Sequence, residues 1–478
     1  MKLKNRDVEN EEYSVGDFND LRLKKTCAKL HKRMIDKQDM SLRRLSEDRA
    51  EEVSYGRLLG NYRVTTGEMI RNIGAATNER CRGLHVLAIQ DTSEINLNSH
   101  AGRVKGLGTV GNGTDLGFFI HPLLAVDAKN GSCLGLAHLH LWQRTKPKSP
   151  YYRSLPIEQK ESIRWIDTAF AGKNCLSAAA MITIVSDRES DIFELFDRVP
   201  DERTHILIRA CRDRNLVTDQ GKTLFPWMDD QHVQGSYVLD LPATRSRSAH
   251  KALMHVRYSS VEIERPVHCS DKTASPHIKL YAIDVREDPS TVIEGEELIH
   301  WRLLTTHKVT AMSYACDCIQ WYCDRWIVEQ LFRTTKSQGL DIESSELESA
   351  EKLEKLAVLS VSAAVCVMQM VQSRDGKSAR PATDVFCAEE IETLHHIQPT
   401  LEGKTEKQMN PYLLFSLAWA TWIIARLGGW KGYASERKPG PITICHGLHV
   451  FTAMHQGWLL ARSAMPKIGQ LSNGIKNQ

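Results

Sequence analysis

Residues 84–92 read LHVLAIQDT, an apolar run that stops on a carboxylate. A run of this length, bounded by polar residues, predicts a buried strand that delivers Asp91 at its C-terminal end. The pattern recurs at residues 181–189, MITIVSDRE, where Asp187 follows the run. Two further β-like runs, Phe118 to Val126 and Cys133 to Trp142, flank residues 127–131, DAKNG. Asn-Gly between apolar runs is a hairpin signal. A helix is expected over Glu158 to Ala171, before the second strand. Strand, hairpin, helix and strand, with an acid at each of two strand ends, is an α/β layout.

Working outward, residues 1 to about 75 predict helices, with Leu21, Leu23, Leu30 and Met34 recurring among charges. From Arg22 to Arg44 the chain carries Arg22, Lys24, Lys25, Lys29, Lys32, Arg33, Lys37, Arg43 and Arg44 against Asp36 and Asp39. Such a basic segment either solvates a helix face or neutralises nucleic-acid phosphates. From His205 to about Thr310 the pattern alternates in the β manner (HILIRA, SYVLDL, ALMHVRYSSVEIE, HIKLYAIDV, WRLLTT). It reads as a β-rich insertion. Helices are expected again from about Ser313 to Gln372, and in a last region over 373–478.

The helical segment 322–336, YCDRWIVEQLFRTTK, supplies Tyr322, Arg325, Glu329 and Lys336. At about 100° per residue these four fall within an arc of roughly 60°, with Ile327, Val328 and Leu331 opposite. Read as one helix, they form a polar row of about 21 Å, long enough to follow several phosphates. Arg325 and Glu329 alone would be an ordinary i, i+4 pair on a solvated helix. Two strand-end aspartates before this helix give it weight, at separations expected of an RNase-H-like core with an insertion. Three carboxylates suit hard Mg²⁺ ions, which prefer oxygen ligands and can work in pairs on a phosphodiester.

The 478 residues predict two to four domains, and 42% hydrophobic with 25% charged residues is a soluble globular composition. The N-terminus has no apolar run that would serve as a secretory signal. The most apolar stretch, Leu356 to Val371, is interrupted by Ser360, Ser362 and Gln369 and reads as a buried helix. Twelve cysteines without a C-x-x-C pair, Cys316, Cys318 and Cys323 being nearest together, read as free thiols. No membrane association is expected, and the compartment read from these features is the cytoplasm. A literal G-x-G-x-x-G at Gly106, Gly108 and Gly111 lacks the flanking strand and helix of a dinucleotide fold. His138 with His140, and His395 with His396, lack a third ligand at convincing spacing.

With these residues assembled, the chain resembles the DDE transposases of bacterial insertion sequences. It is most similar to the group with the Y-x2-R-x3-E-x6-K signature, which includes the transposon-five transposase. That signature stands as Tyr322, Arg325, Glu329 and Lys336. AIQDTS around Asp91, KES..W from Lys160 to Trp165, DRESD from Asp187 to Asp191, HWRLLTT around Trp301 and IARLGGW ending at Trp430 accompany it in order, from about residue 17 to 460.

The resemblance implies an RNase-H-like catalytic domain over 76–372, interrupted by the β-rich insertion at about 205–310. An N-terminal helical DNA-binding domain (1–75) and a C-terminal helical dimerisation region (373–478) flank it. It implies cut-and-paste transposition by a homodimer holding two double-stranded transposon ends, associated with the bacterial nucleoid. The ends are nicked, closed as hairpins, reopened and joined to target DNA. Asp91, Asp187 and Glu329 would be catalytic and hold two Mg²⁺ ions, with Mn²⁺ as substitute. Tyr322, Arg325, Lys336, Trp301, Arg188 and Arg209 would contact DNA, Trp301 receiving a flipped base. An RNase-H-like nuclease without strand transfer, or a non-catalytic transposase-derived regulator, is the alternative.

Overall fold

The computed structural model describes residues 15–144, 151–152, 155–217, 221–241, 243, 247–269, 271–433 and 435–475, with side chains as far as 463. The first 14 residues, on which part of the reading of the N-terminus rested, lie outside them. Four helices come first: α1 (Leu21–Lys37), α2 (Leu42–Leu45), α3 (Arg49–Leu59) and α4 (Thr66–Arg80). Then come β1 (His85–Gln90), β2 (Ser93–Asn96), β3 (Gly108–Thr109), β4 (Leu116–Asp127) and β5 (Cys133–Trp142). Next are α5 (Ile163–Cys175), β6 (Met181–Ser186), α6 (Phe193–Arg198), β7 (Thr204–Arg209) and α7 (Leu224–Asp229). The strands β8 (Gly235–Leu241), β9 (His250–Glu264), β10 (His277–Glu287) and β11 (His300–Thr305) follow. The rest is helical: α8 (Met312–Asp324), α9 (Trp326–Lys336), α10 (Ala350–Ser373), α11 (Ala388–Leu401), α12 (Leu417–Leu427) and α13 (Pro441–Ile475).

Contacts divide the chain into two compact units. The first comprises Met1–Ile73, Ile95–Phe118 and Glu329–Gln478, the second Gly74–Glu94 and Phe119–Val328. The helical regions at the two ends of the sequence thus share a unit. Within it, α10 packs on α1, α3, α12 and α13. Lys355 on α10 is 3% exposed, and its Nζ donates to the carbonyls of Leu59 and Asn61, both at 3.0 Å. Capping carbonyls with a buried ammonium satisfies both sides and ties the N-terminal helices to α10. By length and composition α10 is apolar enough to cross a membrane, but 94% of its apolar window is buried inside the structure.

The second unit is built on a large mixed sheet. Its strand order is β5-β4-β1-β6-β7-β11-β10-β9-β8. β1, β6 and β7 run parallel, and the remaining neighbours are antiparallel. The five β runs expected between 205 and 310 are β7 to β11; β7 runs parallel beside β6, so the antiparallel extension of the sheet begins with β8 rather than at 205. Alternation along the strands sorts side chains to two faces. Val86, Ala88, Ile182, Ile184, Ile206 and Ile208 join Trp165 of α5 and Phe196 of α6 in one apolar core. On the other face α8 packs over β6 and β7. The hairpin turn closes as its composition predicts, Gly131 taking φ +73 while its N–H donates to the Asp127 carbonyl at 2.9 Å.

Two expectations need correction. The helix expected over 158–171 begins at Ile163, after a single 3-10 turn at Ile157–Gln159. The segment 322–336 is not one helix: α8 ends at Asp324, and Arg325 N–H bonds back to the Tyr322 carbonyl at 3.1 Å, as Val328 N–H does to that of Arg325. Those i−3 bonds are the tighter 3-10 kind and set α9 off from α8.

Candidate active site

Ile89 pairs with Val185 in the parallel β1–β6 ladder. Asp91 and Asp187, each two residues further, therefore stand level at the ends of strands about 4.8 Å apart. Their alternation partners Leu87, Ile89, Thr183 and Val185 are not on the α5 face, so both carboxylates are aimed to the α8 side.

There, Arg325 Nη1 donates to Asp91 Oδ2 at 2.8 Å, and the other Asp91 oxygen accepts the Thr92 N–H at 2.7 Å. The pair is largely withdrawn from water, with side-chain exposures of 10% and 17%. A guanidinium matched to a carboxylate at this depth is a charge-assisted bond of the stronger kind. Asp187 is half-buried and caps the 3-10 turn Arg188–Ser190, its Oδ1 accepting the Glu189 N–H at 2.9 Å.

Tyr322 lies on the same side, 5% exposed. Burial raises its phenol above the ordinary value and Asp187 adds to the rise, while Arg325 and a hydrogen bond from Arg209 oppose it. Tyr322 thus has Asp187, Arg209 and Arg325 among its charged neighbours. Arg209 also donates from Nη2 to the His300 carbonyl at 3.2 Å. Trp301, half-buried on β11, has its ring centre 6.1 Å from that of Tyr322. Arg188 is exposed on the turn after β6.

Seven of the nine sequence-derived residues thus fall in the second unit. Six of them, Asp91, Asp187, Tyr322, Arg325, Arg209 and Trp301, are connected there by contacts or mutual fields. Glu329 and Lys336 belong to the first unit. Glu329 is half-buried in the first turn of α9, its Oε2 3.9 Å from Arg333 Nη2, and Lys336 Nζ is 3.1 Å from Glu343 Oε1. The polar row is corrected with the helix that carried it. Tyr322 and Arg325 are buried rather than solvated, although Ile327, Val328 and Leu331 are buried as expected.

Other motifs resolve differently. Asp191, closing DRESD, is 1% exposed and accepts the N–H groups of Cys211 and Arg212, both at 2.8 Å, together with the Arg214 guanidinium. It fastens the segment after β7 to the turn after β6. Gly106 and Gly111 take positive φ around the short β3, and β4 rather than a helix follows. All twelve cysteines are free thiols. His138 and His140 are half-buried on β5, and burial lowers the His138 imidazole to about 4. In the basic N-terminal stretch Lys24, Lys29, Lys32, Arg33 and Arg44 are ion-paired with Asp17, Glu51, Asp36 and Glu390, Glu47, and Asp39. Most of that charge is therefore compensated within the first unit. Arg22, Lys25, Lys37 and Arg43 form no ion pair among the described residues, Lys37 donating instead to the carbonyls of Arg44 and Leu45.

Among the described residues, Asp229, Asp284 and His300 form a group with ligand atoms within 4.8 Å of one another. Asp284 is fully buried and already accepts from His300 Nε2 at 2.6 Å and Arg302 Nε at 2.9 Å, and Arg302 also bonds Asp229 at 2.5 Å. The guanidinium supplies the charge compensation that a metal would bring, so this cluster braces β10 against β11.

No family model matches the chain. Among solved structures it is similar to a piggyBac transposase, imaged by cryo-electron microscopy as a synaptic complex with hairpin DNA. The identity is 7% and the TM-score 0.34, over 80% of this chain and 56% of that one. The chain thus spans little more than half of that protein's length.

Proposed function

We propose that the chain is a metal-dependent DNA transposase of the DDE class, of the insertion-sequence group with the Y-x2-R-x3-E-x6-K signature. One observation carries the reading. Asp91 and Asp187 stand level at adjacent parallel strand ends, on the face where Arg325 and Tyr322 of the signature reach them. The order β5-β4-β1-β6-β7, an antiparallel meander followed by two parallel strands, supports an RNase-H-like core.

The donor set fits a hard divalent cation. Arg325 pairs with Asp91, the second carboxylate level with it leaves negative charge for a further cation, and the oxygens of both suit Mg²⁺ or Mn²⁺. Asp91 and Asp187 would hold it, with Glu329 as the third carboxylate and two ions in all. Such ions, when bound, activate the attacking oxygen and stabilise the leaving one.

The chain's own residues do the rest. Arg325 offsets the Asp91 charge and keeps that carboxylate oriented. Tyr322, its phenol held protonated, donates to a backbone phosphate, and Arg209, Arg188 and Lys336 supply cationic contacts. Trp301 offers an indole face to an unstacked base, an interaction worth about 1–3 kcal/mol. On this reading water opens the phosphodiester at a transposon end and releases a 3′-hydroxyl. That hydroxyl attacks the opposite strand to give a hairpin, water reopens it, and the 3′-end joins target DNA within a homodimer.

The test is to incubate purified protein with a labelled element end and Mg²⁺ or Mn²⁺. Nicks, hairpins and joined products are expected. Nicks alone would make it a nuclease without strand transfer, and binding without cleavage a regulator. Glu329→Ala should abolish cleavage while end binding persists, because phosphate contacts supply most of the affinity. Cleavage by that variant at the wild-type rate would remove Glu329 from the assignment.

A further inference from the structure

We propose that Arg164 is a positioning residue that locks the two strand ends bearing Asp91 and Asp187 into one frame. The inference rests on reading those carboxylates as metal ligands. Arg164 sits on α5, 8% exposed, within the KES..W motif. Its Nε donates to Thr92 Oγ1 at 3.0 Å, Nη1 to the Glu161 carbonyl at 3.0 Å, and Nη2 to Glu189 Oε2 at 2.8 Å. Thr92 follows Asp91, and Glu189 is two residues past Asp187 and donates its own N–H to it. One planar fork therefore reaches the turn behind each carboxylate.

The Thr92 arm continues inward. Thr92 Oγ1 is 2.8 Å from His121 Nδ1, His121 Nε2 is 3.2 Å from Gln90 Oε1, and Gln90 Nε2 donates to the Trp165 carbonyl at 3.2 Å. Each group can give one proton onward only if His121 is neutral with its hydrogen on Nε2. Complete burial and the Arg164 charge hold the imidazole well below its ordinary value, which keeps it in that state. Asp91 is thus flanked on both sides, by Gln90 and Thr92, with members of one directed chain. His121, Gln90 and Arg164 are each less than one-tenth exposed, and Thr92 is half-buried, so the inner part of the chain is shielded from water.

The chemistry explains why such a device belongs here. Carboxylates beyond the ends of strands sit on irregular backbone, and metal ligands need to be held to within about 0.5 Å. A guanidinium fork does this for two turns at once, and a lysine, with a single point of contact, does not. Glu189 is exposed, so its ion pair contributes little by itself, and the half-buried Thr92 arm carries the effect.

The experiment compares wild type, Arg164→Ala, Arg164→Lys, Glu189→Gln and Asp187→Asn as full-length proteins. Mn²⁺ alone is the probe, followed by its paramagnetic resonance signal, with end cleavage and melting temperature measured in parallel. Arg164→Ala is expected to weaken Mn²⁺ binding and cleavage by about 10–100-fold, with millimolar guanidinium restoring part of both and Lys failing to. Glu189→Gln, a surface change that leaves the core intact, should show a smaller loss in the same direction. Wild-type Mn²⁺ affinity in both Arg164→Ala and Glu189→Gln, with Asp187→Asn losing Mn²⁺, would overturn the role of Arg164 alone. Undiminished Mn²⁺ binding by Asp187→Asn would overturn the metal reading itself, and the inference with it. If Arg164→Ala fails to fold, Thr92→Val, which removes the hydroxyl of the arm that carries the effect, decides: unchanged Mn²⁺ affinity there overturns the inference.

Discussion

The parallel strands of the second unit have two ends of opposite character on the same face. At their C-terminal ends stand Asp91 and Asp187, with Arg325, Arg209 and Tyr322 about them. At their N-terminal ends are His85 and His205, joined by His307 after β11. Thr183 Oγ1 lies 2.8 Å from His85 Nε2 and 2.7 Å from His307 Nε2, His205 and His307 stack at 4.0 Å, and Trp321 of α8 closes the group. Both ends are polar and partly buried, yet they meet desolvation differently. At the carboxylate end Asp91 is paired with an arginine. The histidine end gives up its charge, with burial lowering His85 to about 4 and His307 to about 3. A charged end can accept a cation and a phosphate, whereas a neutral aromatic cluster contributes packing and hydrogen bonds.

The largest effect expected from breaking this contrast is at Arg325. Arg325→Gln removes the cation beside Asp91 while keeping a hydrogen-bonding side chain. Leaving that carboxylate without its charge partner should cost about 1.5–3 kcal/mol of stability, the range for bonds to charged groups. Cleavage should fall about 100-fold or more at a temperature where the variant is folded, since a misplaced ligand at the reacting centre has effects of that size. Denaturant titration and single-turnover cleavage measure the two separately. A variant that loses stability but cleaves normally would leave Arg325 as a brace and nothing more.

Much of the second unit was legible from the chain because its signals are local. Apolar runs of strand length, the DAKNG turn and the alternation from 205 to 310 each depend on neighbours in sequence, and each became the element expected. The placement of Asp91 and Asp187 at strand ends was legible for the same reason, as both terminate such runs. Arg164 and Asp191 were not given roles, although both lie inside motifs the sequence offered. Their partners are 72 and 25 residues away in one case and about 20 in the other, and no periodicity reports a pairing of that kind. The signal that was available is a charged residue on the buried side of α5, next to Trp165. The break at Arg325 was invisible because 3-10 and α segments share a similar spacing over a single turn.

Acid should act on the histidine end. The folded-state values of His85 and His307 lie below the unfolded value of about 6.5, so the unfolded chain binds more protons as pH falls. Their contribution is fully present above pH 6.5 and declines as pH drops toward about 4 and about 3. Between pH 7 and 5 each of these imidazoles should account for a loss on the order of 1–2 kcal/mol. Melting curves of wild type and His307→Gln across that range isolate the share of one imidazole, because the other buried histidines are common to both proteins. Parallel slopes for the two proteins would mean that His307 is not a neutral group in the folded state.

The smallest effect should come from Thr183, whose hydroxyl serves His85 and His307 from the middle of the cluster. Thr183→Val preserves the shape and the β preference of β6 but removes that hydroxyl. The imidazoles lose a neutral hydrogen-bond partner, worth roughly 1 kcal/mol, or a few degrees in melting temperature. Thr183 lies on the same strand as Asp187 and on the same face, four residues earlier. If the two ends are independent, end cleavage by Thr183→Val should stay within about twofold of wild type, as for sites with no shared partner. A loss of cleavage comparable to that of Arg325→Gln would show that β6 transmits disorder along its length, and the histidine end would then have to be counted among the supports of the carboxylates.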